Sequence, residues 1–196
     1  MNSYSNVADD RLVSLYANGD NRAFDVLLER HQSKIFNYIY YVVHDEDVAN
    51  DIFQDTFIKA IMTIKQGRYV ESGKFAAWLT RIAHNLVIDH FRYGNDGQNN
   101  IAADEEGAGA LNDIRLSEGN IEMQMVALQR LADLRELVSR LPAPQREVVY
   151  MRYYQELTFK EIAEITGVSI NTSLGRMRYA LINLRRLINQ KQLALA

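Results

Sequence analysis

The sequence contains no cysteine, only two prolines and no long apolar run. Without cysteine there are no disulfides and no cysteine-ligated zinc, which is typical of proteins in a reducing compartment. The polar N-terminus, MNSYSNVADD, lacks the pattern of a signal peptide. No apolar run reaches the roughly 20 residues that a membrane-spanning helix needs. These features predict a cytoplasmic protein.

Strand-forming patterns are also missing, because no run alternates between apolar and polar residues. Helix-favouring residues dominate, and the two prolines, Pro142 and Pro144, lie two positions apart. Hydrophobic residues make up 47% of the 196 residues, which is enough to build packed cores. The sequence therefore predicts an all-α fold with two small helical domains.

The chain has a net charge of −3, but the charge is unevenly distributed. Residues 1–93 carry a net charge of −2, residues 94–122 carry −6 and residues 123–196 carry +5. The middle segment is rich in glycine, asparagine and acidic residues and shows no helical ridge, which is typical of a linker. We therefore expect a helical domain over 1–93, an acidic linker over 94–122 and a basic domain over 123–196.

Apolar residues recur with helical spacing in both domains. In the second of the N-terminal helices, the pattern leaves open a break near His31. The predicted helices before residue 158 cover residues 9–18, 23–41, 45–65, 74–93, 123–140 and 145–154.

The segment from Thr158 to Tyr179 predicts a helix-turn-helix. Thr158 and Glu161 form a capping-box pattern, and Gly167 suits the left-handed turn that ends a helix. Ser169 can then cap a second helix. The residues expected to form the buried ridge of this second helix are Leu174, Met177, Leu181, Leu184 and Ile188. Two helices joined by a glycine-containing turn are the layout of a common DNA-binding motif.

The opposite side of that second helix is expected to face a DNA groove. Its candidate DNA-contacting residues are Asn171, Thr172, Arg176, Arg178 and Tyr179. Gly175 shares this side and costs a helix interior about 1 kcal/mol relative to alanine. It either allows close approach to DNA or has no functional role.

Acidic residues recur on one side of the predicted helix 45–65. Asp47, Asp51 and Asp55 are four residues apart, and Gln54 and Ile58 lie beside them. Like charges at this spacing destabilise a helix by a few tenths of a kcal/mol per pair. The pattern fits either a solvated acidic face or a docking surface for a basic partner, and Ile58 and Met62 on the same side favour docking.

The predicted helix 74–93 has a basic outer face. Arg81, Asn85 and Arg92 lie within about 40° of each other on an ideal helix. Arginine and asparagine commonly contact phosphates and base edges, and an aromatic side chain near a basic surface can stack on an unpaired base. The candidate nucleic-acid contacts in this part of the chain are Arg68, Tyr69, Lys74, Arg81, His84, Asn85 and Arg92.

No group of residues predicts catalysis or a metal site. His84, Asp89 and His90 are close in sequence but do not share one helix face. The sequence contains no glycine-rich phosphate loop and no nucleophile motif. We therefore expect no enzymatic activity, no metal, no cofactor and no small-molecule substrate.

Three segments in order, at 45–61, 74–92 and 141–181, resemble bacterial RNA polymerase sigma factors of the extracytoplasmic-function (ECF) type within the sigma-70 family. They read DEDVANDIFQDTFIKAI, KFAAWLTRIAHNLVIDHFR and LPAPQREVVYMRYYQELTFKEIAEITGVSINTSLGRMRYAL. The resemblance implies an all-α protein with sigma region 2 and sigma region 4, joined by a linker. It also implies a role in transcription initiation, with core RNA polymerase and promoter DNA as partners.

The resemblance assigns roles to the candidate surfaces. The stripe Asp47, Asp51, Gln54, Asp55 and Ile58 would bind the polymerase. The basic face and the preceding loop would open and read the promoter −10 element. The helix-turn-helix would read the −35 element. Family members usually respond to an anti-sigma factor, often membrane-bound, so such a partner is implied as well.

Two interpretations remain beside these. A stand-alone transcription regulator would bind DNA as a dimer without polymerase, but it gives no reason for the stripe of acidic residues. The net charge of the linker suits either mimicry of a nucleic-acid strand in a basic channel or a simple soluble tether.

Overall fold

The computed structural model describes residue 4, residues 6–94, residue 134 and residues 136–194. The chain divides into two compact units, residues 1–108 and 109–196. The described residues form helices, turns and loops and contain no strand, which confirms the predicted all-α fold. The predicted linker lies outside the described residues, except for its first residue.

The first unit contains four described helices. They are α1 (Asp9–Ala17), α2 (Asn21–Val43), α3 (Glu46–Lys65) and α4 (Phe75–Gly94). Their bounds lie within two residues of the predicted ones. The break near His31 is absent, because α2 is continuous through this position.

Aspartates placed just before α2 and α3 define where these helices begin. The Asp20 side chain accepts a hydrogen bond from the backbone N–H of Arg22 at 3.0 Å. Asp45 accepts one from the backbone N–H of Val48 at 2.9 Å. Each cap satisfies an N–H that the helix itself leaves unpaired and is worth about 1 kcal/mol.

Helix α2 forms the centre of the first unit and packs against α1, α3 and α4. The side chains that α2 places in the core include Leu27, Tyr38 and Ile39, each fully buried. On α4 the buried apolar residues recur every fourth position, and all are at most 2% exposed. They are Phe75, Leu79, Ala83 and Val87. The opposite side of α4 is thereby turned outward.

Polar contacts hold α1 against α2. Asp9 pairs with Arg30 and with His31, both at 2.7 Å. The hydrogen bond from His31 and the pairing with Arg30 keep the pKa of the Asp9 carboxyl below its ordinary value. This arrangement fixes α1 at the edge of the unit where the loop between α3 and α4 passes.

The second unit contains α5 (Ala143–Tyr153), α6 (Phe159–Thr166) and α7 (Ile170–Ala194). Residues 136–139, just before α5, are also helical. Both α5 and α6 pack against α7. Pro142 occupies the position before the first residue of α5, where a missing backbone N–H costs the helix nothing.

The helix-turn-helix signals in the sequence are confirmed. Thr158 and Glu161 form a complete capping box at the start of α6. Gly167 ends α6 with φ of 67°, in the left-handed region where a side chain would be strained. The Ser169 hydroxyl accepts from the backbone N–H of Thr172 at 3.0 Å and caps α7.

The buried side of α7 differs from the predicted one. The ridge was expected to include Leu174 and Leu181, but these are 45% and 40% exposed, so that part of the prediction is wrong. The side chains that are buried on α7 are Ser173, Met177, Ala180 and Leu184. An apolar pattern selects the largest hydrophobic residues, whereas close approach of α5 and α6 selects small side chains such as serine and alanine.

Candidate nucleic-acid interface

The outer side of α3 carries an acidic stripe, which we define as Asp47, Asp51, Gln54, Asp55 and Ile58. All five side chains are exposed. With 100° between consecutive residues, they lie within an arc of about 100° on the helix. The structure therefore brings the whole predicted stripe onto one accessible surface.

Two exposed apolar residues extend along this surface. Ile58 is 52% exposed and Met62 is 51% exposed. Met62 lies one turn beyond Ile58, at a position about 40° around the helix from it. Neither side chain is needed to fill the core, which α3 reaches through Phe57 and Ala60. A mixed acidic and apolar surface of this kind suits a protein partner with basic and apolar groups.

The outer side of α4 carries a basic face formed by Arg81, Asn85 and Arg92. All three are exposed and lie on the side opposite the buried stripe of α4. Arg92 also forms a surface ion pair with Asp89 at 2.8 Å. Because the three residues span 11 positions, they cover about 16 Å of helix. This length of basic surface can follow several nucleotides of a nucleic-acid backbone.

His84 does not belong to the basic face. It is 8% exposed, and its Nδ1 lies 3.0 Å from the hydroxyl of Tyr38. The structure therefore does not present His84 on the accessible surface where a DNA contact was expected. At its position, 60° around the helix from Arg81 towards the buried stripe, the side chain meets α2 instead of solvent.

The loop between α3 and α4 presents Arg68 and Lys74 at the surface. Arg68 donates a hydrogen bond to Gln66 within the loop. The backbone carbonyl of Lys74 accepts from the N–H of Trp78 at 3.0 Å, which places Lys74 at the start of α4. Lys74 therefore lies at the end of α4 from which the basic face begins, whereas Arg68 lies six residues earlier, close to the end of α3.

Tyr69, the residue expected to stack on a base, is half-buried and makes several contacts inside the domain. Its ring lies 4.8 Å from that of Trp78 and 5.9 Å from that of Phe75, measured between centroids. Its hydroxyl donates to Asp10 on α1 at 2.6 Å. Burial, followed by the hydrogen bond to Asp10, raises the pKa of the Tyr69 phenol.

Asp10 anchors this loop to α1 at a second point. Its other carboxylate oxygen accepts the backbone N–H of Gly73 at 2.5 Å. Ser14, one turn further along α1, donates a hydrogen bond to Glu71. Sequence reasoning missed Asp10, because its partners lie about 60 residues away and only the fold brings them together.

The candidate −35 residues on α7 occupy two adjacent exposed sides. The first side contains three residues within about 60° of one another: Thr172, Arg176 and Tyr179. The second side contains Asn171 and Arg178, roughly 100–120° around the helix from Thr172. Arg176 is half-buried and the other four are exposed. Together they form an arc of about 160°, which a helix inserted in a major groove can present to DNA.

Gly175 lies near the middle of this arc. A Cβ atom built on it would meet no atom of the described structure within 4 Å. Gly175 and Arg176 line a shallow groove whose far wall is the proline-flanked start of α5. The fold therefore does not require a glycine at this position.

The described residues hold no cluster of three or more His, Asp or Glu side chains arranged to bind a metal ion. Within the same ranges, no helix is both long and apolar enough to span a membrane.

Comparison with protein families gives two matches in the expected order. Residues 27–96 match sigma-70 region 2, and residues 131–174 match sigma-70 region 4. The first match contains the acidic stripe and the basic face. The second contains α5, α6 and the first part of α7.

Curated relatives match over most of their length. The RNA polymerase sigma-H factor of Pseudomonas aeruginosa is 30% identical over 86% of this chain and 88% of its own. The ECF sigma factor SigW of Bacillus subtilis is 30% identical over 81% of this chain and 85% of its own. The ECF sigma-E factor of Salmonella typhimurium is 31% identical over 87% of this chain and 89% of its own.

Solved structures show the same fold. CnrH, solved with the cytosolic domain of CnrY, superposes with a TM-score of 0.61 at 23% identity, covering 93% of this chain and 98% of CnrH. RpoE of Bartonella quintana, solved with the anti-sigma factor NepR, superposes with a TM-score of 0.61 at 21% identity, covering 85% of this chain and 96% of RpoE. With both sigma regions matched in order, the chain belongs to the ECF group of the sigma-70 family, whose members are RNA polymerase sigma factors that act in transcription initiation and are not enzymes.

Proposed function

We propose that this chain recruits core RNA polymerase through the acidic stripe of α3 and directs it to promoters through two separate DNA-reading surfaces. The observation that carries the proposal is that one small helical unit presents both an acidic, partly apolar stripe and a basic face on different helices. The stripe would repel DNA and attract a basic protein surface, whereas the basic face would do the opposite.

The basic face of α4 and the loop before it are proposed to act on the −10 element. Arg81 and Arg92 would hold phosphates, and Asn85 between them would contact a base edge. Opening the duplex exposes bases whose edges are otherwise paired, at a cost of a few kcal/mol per extruded base. Binding to the basic face would offset part of this cost.

The helix-turn-helix is proposed to read the −35 element as a duplex, with α7 in the major groove. Its candidate contacts are Asn171, Thr172, Arg176, Arg178 and Tyr179. The second domain carries the positive charge of the chain, net +5 over residues 123–196, which favours binding to phosphates. The two DNA-reading surfaces would act together once both are held on one polymerase.

We further propose that the protein acts in the cytoplasm and is controlled by an anti-sigma factor. CnrH and RpoE, which share this fold, were each solved with a bound protein, and NepR is itself named an anti-sigma factor. A partner that covered the acidic stripe would prevent recruitment of polymerase. The acidic stripe, with its exposed Ile58 and the neighbouring Met62, is suited to such a contact.

Run-off transcription with purified core polymerase on promoter-containing DNA tests the proposal. The chain should support promoter-specific initiation that core polymerase alone does not. Asp51→Arg should weaken binding to core polymerase by at least about tenfold, because it places a cation against a basic partner. Asp25→Arg is the matched control, since it reverses a charge that is also exposed but lies on α2.

Two outcomes would contradict the proposal. One is specific DNA binding by a dimer of this chain without polymerase, as expected of a stand-alone regulator. The other is equal binding of core polymerase by the Asp51 and Asp25 variants, which would place the polymerase surface elsewhere.

A further inference from the structure

The basic face of α4 contains one residue of a different kind, Ile88. It is 50% exposed. On an ideal helix it lies within about 20° of Arg81, three residues after Asn85 and four before Arg92. A large apolar side chain therefore lies in the middle of a surface otherwise formed by cations and an amide.

The fold of the first unit does not account for the exposed part of Ile88. The core under α4 is already closed by its buried stripe, in which Leu79, Ala83 and Val87 are at most 1% exposed. Isoleucine is also a slightly poorer helix former than alanine or leucine because it is β-branched. Exposing half of it gains no burial energy in the isolated protein.

A nucleic acid held by the basic face must pass over Ile88. The axial distance from Arg81 to Ile88 is about 10 Å, and from Ile88 to Arg92 about 6 Å. A backbone that contacts both arginines therefore brings a base close to the isoleucine. The side chain is too short and apolar to hold a phosphate, so it would contact the sugar or the base.

Among the four DNA bases, only thymine carries a methyl group on its exposed edge, and apolar side chains in DNA-binding proteins contact this methyl. We propose that Ile88 contacts the 5-methyl group of one thymine in the −10 region and so helps to select that base. This inference rests on the proposed function of the basic face.

Protein contact is the alternative use for an exposed isoleucine. The charge around Ile88 argues against it, since Arg81 and Arg92 flank it and the nearby acid, Asp89, is paired with Arg92. Among the other exposed apolar residues of this unit's helices, Phe91 also lies on α4, three residues after Ile88. Ile58 and Met62 lie beside acids on α3. The two environments suit partners of opposite charge.

The test uses holoenzyme assembled from core polymerase and the full chain. A promoter library with a randomised −10 region is selected with wild-type protein, with Ile88→Ala and with Ile88→Val, which keeps a branched apolar side chain. The wild type and Ile88→Val should enrich thymine at one position where Ile88→Ala does not. Replacing that thymine by uracil removes only the methyl group.

The uracil template should bind the wild-type holoenzyme about fourfold more weakly, as expected for the burial of one methyl group. For Ile88→Ala the two templates should bind equally. The inference is overturned if wild type and Ile88→Ala enrich the same bases, or if both lose affinity equally with uracil. Weaker binding of Ile88→Ala to core polymerase without DNA would identify a protein contact and also overturn it.

These outcomes are distinct from failure of the proposed function. If the wild-type holoenzyme initiates at no promoter, the assignment of the basic face to the −10 element falls, and this inference falls with it. If initiation is normal but thymine enrichment does not depend on Ile88, only the inference about Ile88 fails.

Discussion

Asp10 provides a sharp test of how the loop before α4 is held. Its carboxylate accepts two hydrogen bonds from the loop, from the Tyr69 hydroxyl at 2.6 Å and from the Gly73 N–H at 2.5 Å. Asp10→Asn keeps the shape of the side chain but replaces one acceptor oxygen by an amide that cannot accept. One of the two donors should therefore lose its partner.

The expected cost follows from the strength of such bonds. A hydrogen bond to a charged group contributes about 1.5–3 kcal/mol, and the Gly73 contact is exposed, so we take the low end. Asp10→Asn should lower the free energy of unfolding of the first unit by about 1–2 kcal/mol. Asp51→Asn removes the same charge from an exposed position and should change it by less than about 0.5 kcal/mol.

Urea unfolding of the full chain, followed by tryptophan fluorescence, measures this difference. Trp78 is the only tryptophan, and its ring lies 4.8 Å from that of Tyr69, so its signal reports the first unit and this loop. The double variant with Tyr69→Phe should cost less than the sum of the two single changes. Equal stabilities for the Asp10 and Asp51 variants would refute the anchoring role of Asp10.

Four further predictions concern the loop and the helix-turn-helix. Burial and the Asp10 hydrogen bond raise the pKa of Tyr69, so its neutral form is favoured in the folded state. The contribution of Tyr69 to the free energy of unfolding should therefore be complete below about pH 10 and decline above it. The stability difference between wild type and Tyr69→Phe should then shrink above about pH 10, and a constant difference would contradict this. Gly167→Ala should destabilise the second unit by about 1 kcal/mol, because φ is 67° there. By contrast, Gly175→Ala should stabilise the unit by up to about 1 kcal/mol, because Gly175 lies inside a helix with open space around it. Amide hydrogen exchange of α7 should therefore show stability changes of opposite sign for the Gly167 and Gly175 variants. Changes of the same sign would refute the argument. Finally, Arg176→Ala should weaken binding of −35 duplex DNA by about 1–3 kcal/mol if the arginine pairs with a base. Competition with mismatched duplexes measures this loss. An unchanged affinity would show that Arg176 does not contact a base.

Surfaces that depend only on helical periodicity could be predicted from the sequence. The acidic stripe of α3 lies where a spacing of four residues places it, and so does the basic face of α4. Their exposure could be predicted because a charged residue is rarely buried without a partner. Ile88 was missed because an isolated apolar residue on a helix is usually assigned to the core, and only its 50% exposure distinguishes it.

Local signals also determined where helices begin and end. The capping box at Thr158 and the left-handed turn at Gly167 involve residues within four positions of each other, so the tertiary structure adds nothing to them. The chain alone thus determined the all-α class and the helix-turn-helix.

What only the tertiary structure decided depends on residues far apart in sequence. His84 is buried because it meets Tyr38, 46 residues earlier, and Tyr69 is half-buried and held against α1 by Asp10, 59 residues earlier. The buried side of α7 is likewise set by α5 and α6, which favour Ser173 and Ala180 over Leu174 and Leu181. Periodicity identifies which residues share a side of a helix, but the neighbouring helices determine which side is covered, because close packing depends on the shapes of both partners.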